Sequence, residues 1–250
     1  QGATASRTRG AQEDLRLAMV RVLMNRYAIR IARETPLFSE TVDIDPRMPL
    51  KADASVADAA RIHLHEKYGR PLHYGLEDVC DASDENAELF LHFAGALVER
   101  MQTRALQGKD PALDPGQQQS ILQQKAAEII GEWSFPYSQR VRTLTERLAA
   151  ECRDASLQPN APLGAGARAI GIPEGEMKAL LETNDEVALA LKFAVAYGAV
   201  VAQRDYGQGN KLWCLLELSG PVCLRHGLTL KLGGFLERDV AHLRSAVEIA

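Results

Sequence analysis

Few residues in this chain are spaced for catalysis. His63 and His65 stand two apart, which on a helix turns them to different faces, so they do not chelate one ion. His73 and His92 add no ligand spacing. Cys80 and His92 make too thin a pair for a thiol nucleophile, which needs a base and a group that orients it. Gly164-Ala165-Gly166 followed by Gly171 imitates a dinucleotide-binding fingerprint, but no strand is read before it and the spacing is wrong. No Gly-x-x-x-x-Gly-Lys-Ser/Thr run is present. The acids Asp78, Asp81, Asp84, Glu85 and Glu88 could hold a cation or a basic partner, and helix-start acids complementing the dipole account for several of them. No cofactor or metal is expected on this chain.

The stronger signal is a contact surface. Arg204 and Lys211 lie around Asp205 and Tyr206, close to the bend Gly207–Gly209, between the β-type runs from Tyr197 and up to Leu218. This reads as one hairpin with a glycine turn that lets backbone approach a surface. Its cations suit phosphate, as does Lys178 on a preceding short helix. That helix also carries Glu174, Glu176 and Glu182, which oppose a phosphate backbone. Duplex DNA and a protein domain are therefore both candidate partners for Arg204, Tyr206, Lys211 and Lys178. Gly233-Gly234-Phe235 offers a second docking point, with exposed backbone beside a large aromatic. The alternative is a turn that holds Phe235 in the core.

The elements that must position these residues are mainly helical. Apolar periodicity predicts a helix over Gln12–Arg33 with arginines on its other positions, after a loose tail over 1–11. Pro36, Pro46 and Pro49 mark a connection over 34–54. Helices follow from about Ser55 to Tyr68, around Leu76–Cys80, from a cap at Ser83 or Asp84 to Met101, and over Gln117–Ile130. Trp133-Ser134-Phe135-Pro136-Tyr137 reads as a junction packed by aromatics. Ser138–Cys152 is a helix, 154–166 a loop, Ala167–Ile170 a short helix, and Pro173 opens Glu174–Leu181. After the hairpin come a short helix to Arg225, a strand or an extended tail over Leu228–Glu237, and a helix over Asp239–Ile249. The expected fold class is mainly α: a helical bundle over 1–137, then a winged-helix domain with one β-hairpin and a C-terminal helical extension over 138–250.

Composition agrees with a folded protein. The chain has 250 residues, 46% of them hydrophobic, and a net charge of -4. Sixteen basic and twenty acidic residues precede Ser138, and thirteen of each follow. Neither part has the strong positive field of a non-specific nucleic-acid binder. The four cysteines form no framework, so reduced thiols and a cytoplasmic location are expected. The apolar stretch over Leu180–Val201 is broken by Asp185 and Glu186, and reads as a core helix rather than a membrane span. The first residue is Gln1 rather than Met, which suggests a fragment or a processed chain.

The order of elements resembles the lid and winged-helix region of origin-recognition-type AAA+ ATPases and related signal-transducing P-loop ATPases. The lid-like part is Ser55–Ile130. The run Ser83-Asp84-Glu85-Asn86-Ala87-Glu88-Leu89-Phe90 is similar to the start of that family's last lid helix, although the nucleotide-sensing arginine is absent. The winged part is similar over Ser138–Leu218. The resemblance implies a regulatory or binding region of a larger prokaryotic ATPase assembly, without catalysis of its own. Its partner would be an ATPase core, an effector or DNA, and ATP would enter only through a P-loop domain outside this chain. A stand-alone helical interaction module or a helical enzyme with an unseen site is the alternative.

Overall fold

The computed structural model describes residues 2–34, 54–160, 167–183 and 185–248. The connection read over 34–54 and the Gly164–Gly166 loop lie outside them. Ten helices and four strands are present among the described residues. In chain order they are α1 (Gly2–Glu34), α2 (Ala54–Tyr68), α3 (Gly75–Asp81), α4 (Ala87–Leu106), α5 (Pro115–Gly131), α6 (Ser138–Ser156), β1 (Ala167–Pro173), α7 (Glu174–Glu182), α8 (Glu186–Ala196), β2 (Val200–Gln208), β3 (Lys211–Leu218), α9 (Gly220–His226), β4 (Gly234–Glu237) and α10 (Val240–Val247).

Short polar side chains fix many helix starts. Asn86 accepts from the Glu88 and Leu89 amides, Asp185 from Ala188, and Asp239 from His242. Asp114 and Gln117 form a capping box, with Pro115 in the first turn of α5. The cap of α4 is thus Asn86. Ser83 and Asp84, the expected caps, sit in the preceding turn, where Ser83 Oγ donates back to the Val79 carbonyl and Asp84 and Glu85 take positive φ. The tail expected over 1–11 is also corrected, because α1 runs back to Gly2.

The sheet has four strands in the order β2–β3–β1–β4, rather than one hairpin. β2 and β3 pair directly and antiparallel, from Val200↔Leu218 to Gln208↔Lys211. The turn between them is Gly209-Asn210, one step later than the glycine bend read from sequence, and both residues have φ near 60°. A two-residue loop of that kind matches the twist of a hairpin. β1 pairs antiparallel with β3 and parallel with β4. Residues 167–170, expected as a short helix, are the start of β1. Ile170 and Ile172 alternate toward the helices, and Gly171 lets the Phe235 ring lie on the strand, since any Cβ there would strike that ring. The signal was weak because Ala and Gly fill the positions between.

One core runs through the main body. It joins Val79, Phe93, Leu122 and Ile130 of the earlier helices to Leu144 and Leu148 of α6, Ile170 and Ile172 of β1, Leu216 and Leu218 of β3, and Leu243 of α10. It is continuous across residue 137, where two units were expected to meet. A separate small cluster, Val22, Val56 and Ala59, holds α1 to α2. The outer face of the sheet carries a third cluster, Ala169, Trp213, Leu215 and Phe235, with Tyr206 packed on it.

Candidate functional site

The hairpin cations are largely engaged within the molecule. The β2–β3 register shifts between Gln203 and Tyr206, and Asp205 takes φ 57°, the geometry of a bulge. The bulge turns Arg204 onto Glu174, the first residue of α7. Arg204 Nε donates to Glu174 Oε1 at 2.6 Å, and the Asp205 amide donates to the other oxygen at 3.3 Å. The pair raises the Arg204 pKa, chiefly through this hydrogen bond. Lys211 lies 5.6 Å from the centroid of the Trp213 ring. The Trp213 indole donates to the Gln208 carbonyl at 3.2 Å, which ties the two arms of the hairpin.

Three of the expected contact residues converge on the outer face of the sheet. Tyr206 meets Phe235 edge to face at 5.9 Å, and Phe235 also packs on Trp213 at 5.5 Å, beneath Lys211. Phe235 is 9% exposed, so its ring is spent on this cluster. Gly233 is exposed and Gly234 half-buried beside it. Lys178 is exposed on α7, among that helix's acids and apart from the hairpin cluster.

The aromatic junction read over 133–137 forms a second surface, which the sequence did not mark as a contact face. The aromatics of 133–137 lie against α8. Phe135 stacks on Tyr197 at 4.3 Å, Tyr137 on Phe193 at 5.6 Å, and Phe193 neighbours Tyr197 at 6.2 Å. Arg142 fastens this junction by donating to the carbonyls of Ile130 and Gly131, each at 3.1 Å, and to that of Trp133. Arg140 reaches Glu186 of α8 at 2.7 Å. The outcome is a braced patch where Val195, Tyr197 and Val201 remain 42%, 55% and 44% exposed. Phe193 and Tyr197, one helical turn apart, were the available signal, but the spacing reads equally well as core.

A nearly buried ion triad lies where the α3–α4 turn meets the sheet. Arg168 of β1 bridges Glu217 at 3.1 Å and Asp84 at 3.4 Å, all three almost buried. Asp84 also accepts the Gly220 amide. Burial pushes the Asp84 carboxyl above its ordinary range, against the pull of that amide and of Arg168. A Cβ at Gly220 would be driven into the Ala82 backbone, so the α3–α4 turn and the start of α9 approach as closely as glycine permits. Three polar positions of the Ser83–Phe90 run thereby have structural work: Ser83 makes a turn bond, Asp84 a buried ion pair and Asn86 a helix cap.

His73 is buried, and its Nε2 bonds the Leu228 carbonyl at 2.8 Å. Burial lowers its pKa to about 4, so the ring is neutral. His63 Nε2 takes a bond from Arg21 at 2.7 Å, and His65 Nδ1 meets the Arg70 carbonyl at 2.8 Å. Burial pushes the Cys152 thiol up to about 12 and that of Cys214 to about 11, and Cys223 is raised too. These three are inert packing residues. Among the described residues no group of three His, Cys, Asp or Glu side chains could hold a metal ion, and no helix is long and apolar enough to cross a membrane. No protein-family model, curated protein or solved structure matches the chain.

Proposed function

We propose that the chain is a protein-binding regulatory module whose second half is a winged helix, and that it docks a partner domain through the aromatic face of α8 and the start of β2. The winged reading is supported by the order α6, β1, α7, α8, β2, β3 and by the antiparallel run β2–β3–β1. In that order α8 holds the place of the recognition helix, and β4 is an added strand.

One observation carries the choice of partner. The exposed side of α8 and its neighbours is aromatic and apolar, with Lys192 and Glu186 as the only charged residues of the helix, while Arg204 of the wing is ion-paired to Glu174. A duplex reader needs unpaired cations facing phosphate. An apolar patch framed by polar groups suits a protein. The resemblance to AAA+ ATPases suggests the partner class, a nucleotide-binding core or the effector it drives.

The test uses two variants. Val195→Glu with Val201→Glu places charge at two exposed positions and leaves folding within about 0.5 kcal/mol. It abolishes co-purification of the partner from the source cells, whereas Arg204→Ala with Lys211→Ala retains it. Duplex binding at low salt that disappears with Arg204→Ala and Lys211→Ala overturns the protein-docking reading in favour of DNA.

A further inference from the structure

α1 is apolar on two sides. Ala18 and Val22 turn inward and are buried. Leu17, Val20 and Met24 form a second stripe at spacings of three and four, and are 70%, 52% and 67% exposed. At about 100° per residue the stripe covers roughly 60° of the helix, the width of a coiled-coil seam. The same Leu17 lines an open groove of about 510 Å³ against α2, with Ala18, Leu64, Tyr68, Arg21 and Arg70.

Charge selects the occupant. Exposed Arg16 and Arg21 flank the stripe on opposite sides. Arg21 also bonds the His63 ring and keeps its charge, and Asp14, an acid that lines the same groove, is engaged by Arg70. Two copies of α1 packed in parallel along the seam would set Arg16 of one against Arg21 of the other, a like-charge pair at flanking heptad positions. A bilayer surface favours a broad apolar face over a narrow seam.

We propose that the α1–α2 surface docks an amphipathic helix of a partner protein, with an aliphatic seam flanked by Asp and Glu. The inference uses residues outside the α8 face and stands whether or not that face binds a partner. The probe is a labelled synthetic peptide of about 21 residues, three heptads with Leu and Ile at the seam and Glu on both flanks, followed by fluorescence anisotropy. We expect saturable binding, weakened about tenfold or more by Met24→Asp and clearly reduced by Arg16→Glu. The same peptide with Lys flanks does not bind. Circular dichroism melting of each variant, at positions exposed to water, matches the parent.

Four results would overturn the proposal. They are absence of peptide binding, equal binding of the Lys peptide, undiminished binding by Met24→Asp, and a dimer of the free chain in sedimentation that Met24→Asp dissolves. Co-sedimentation with vesicles of phosphatidylcholine and phosphatidylglycerol at about 7:3, lost in Met24→Asp, would reassign the stripe to lipid.

Discussion

The main body and the α1–α2 contact are held together by different means. In the main body, buried side chains from α3 through α10 form one cluster, with an ion triad and a neutral histidine inside or at its margin. The α1–α2 contact rests on Val22, Val56 and Ala59, with ion pairs such as Arg70–Asp14 around them. Each region leaves apolar side chains in water. Around α8 these sit on a braced aromatic stack with a full core behind it, whereas α1 presents them on a helix anchored by a small satellite cluster. The contrast teaches that equal exposure does not mean equal rigidity. Local opening follows how much apolar area each segment buries.

The sharpest way to probe the main body is through its ion triad. Arg168→Ala leaves Asp84 and Glu217 nearly buried without their cation, and should cost about 3 to 5 kcal/mol in urea unfolding at neutral pH. Adding Glu217→Gln should recover part of the loss. A cost below about 1 kcal/mol would mean that water reaches the site and that the triad is not part of what holds the α3–α4 turn to the sheet.

Core truncations compare the two regions directly. Leu148 is fully buried in α6, and Leu148→Ala should lower the main transition by about 3 kcal/mol. Val22→Ala removes two methyl groups from the satellite cluster, worth about 1 to 2 kcal/mol. Hydrogen exchange should then quicken in α1 while the amides of α6 and β3 keep their protection. Equal acceleration everywhere would break the distinction between the regions.

His73 links the chain between α2 and α3 to the main body, so its titration tests how firmly that link is made. Its folded pKa, about 4, lies below the unfolded value of 6.5. The neutral ring therefore contributes stability that is present above pH 6.5 and lost as pH falls toward 4. By linkage the loss between pH 7 and pH 5 is on the order of 2 kcal/mol. His73→Gln should flatten that slope. An unchanged slope would place the acid sensitivity in the carboxylates.

Much of the helical framework was legible from local chemistry. Asp239 ahead of α10 and Pro173 ahead of α7 announce helix starts within a few residues, whereas the Asp114–Gln117 capping box starts α5 two residues before the start read at Gln117. The Gly-Asn turn announces the hairpin for the same reason. β1 escaped, because Ala167–Pro173 has short apolar alternation with Ala and Gly between, and becomes a strand only when β3 and β4 supply its hydrogen bonds. The contact residues divide similarly. Arg204, Lys211 and Tyr206 were found as residue types in a turn. Whether a cation there faces solvent or Glu174 depends on a bulge and on where α7 begins.

The sequence by itself determined the helical character, the hairpin and most helix ends, because caps, turn glycines and apolar periodicity act over a few residues. Tertiary structure alone decided that Arg168 closes a triad with Asp84 and Glu217, that Phe235 covers Gly171, and that Phe135 stacks on Tyr197. Those partners lie tens of residues apart or more. Only the closing of the core brings them within reach, and the low dielectric it creates gives their pairing its energetic weight.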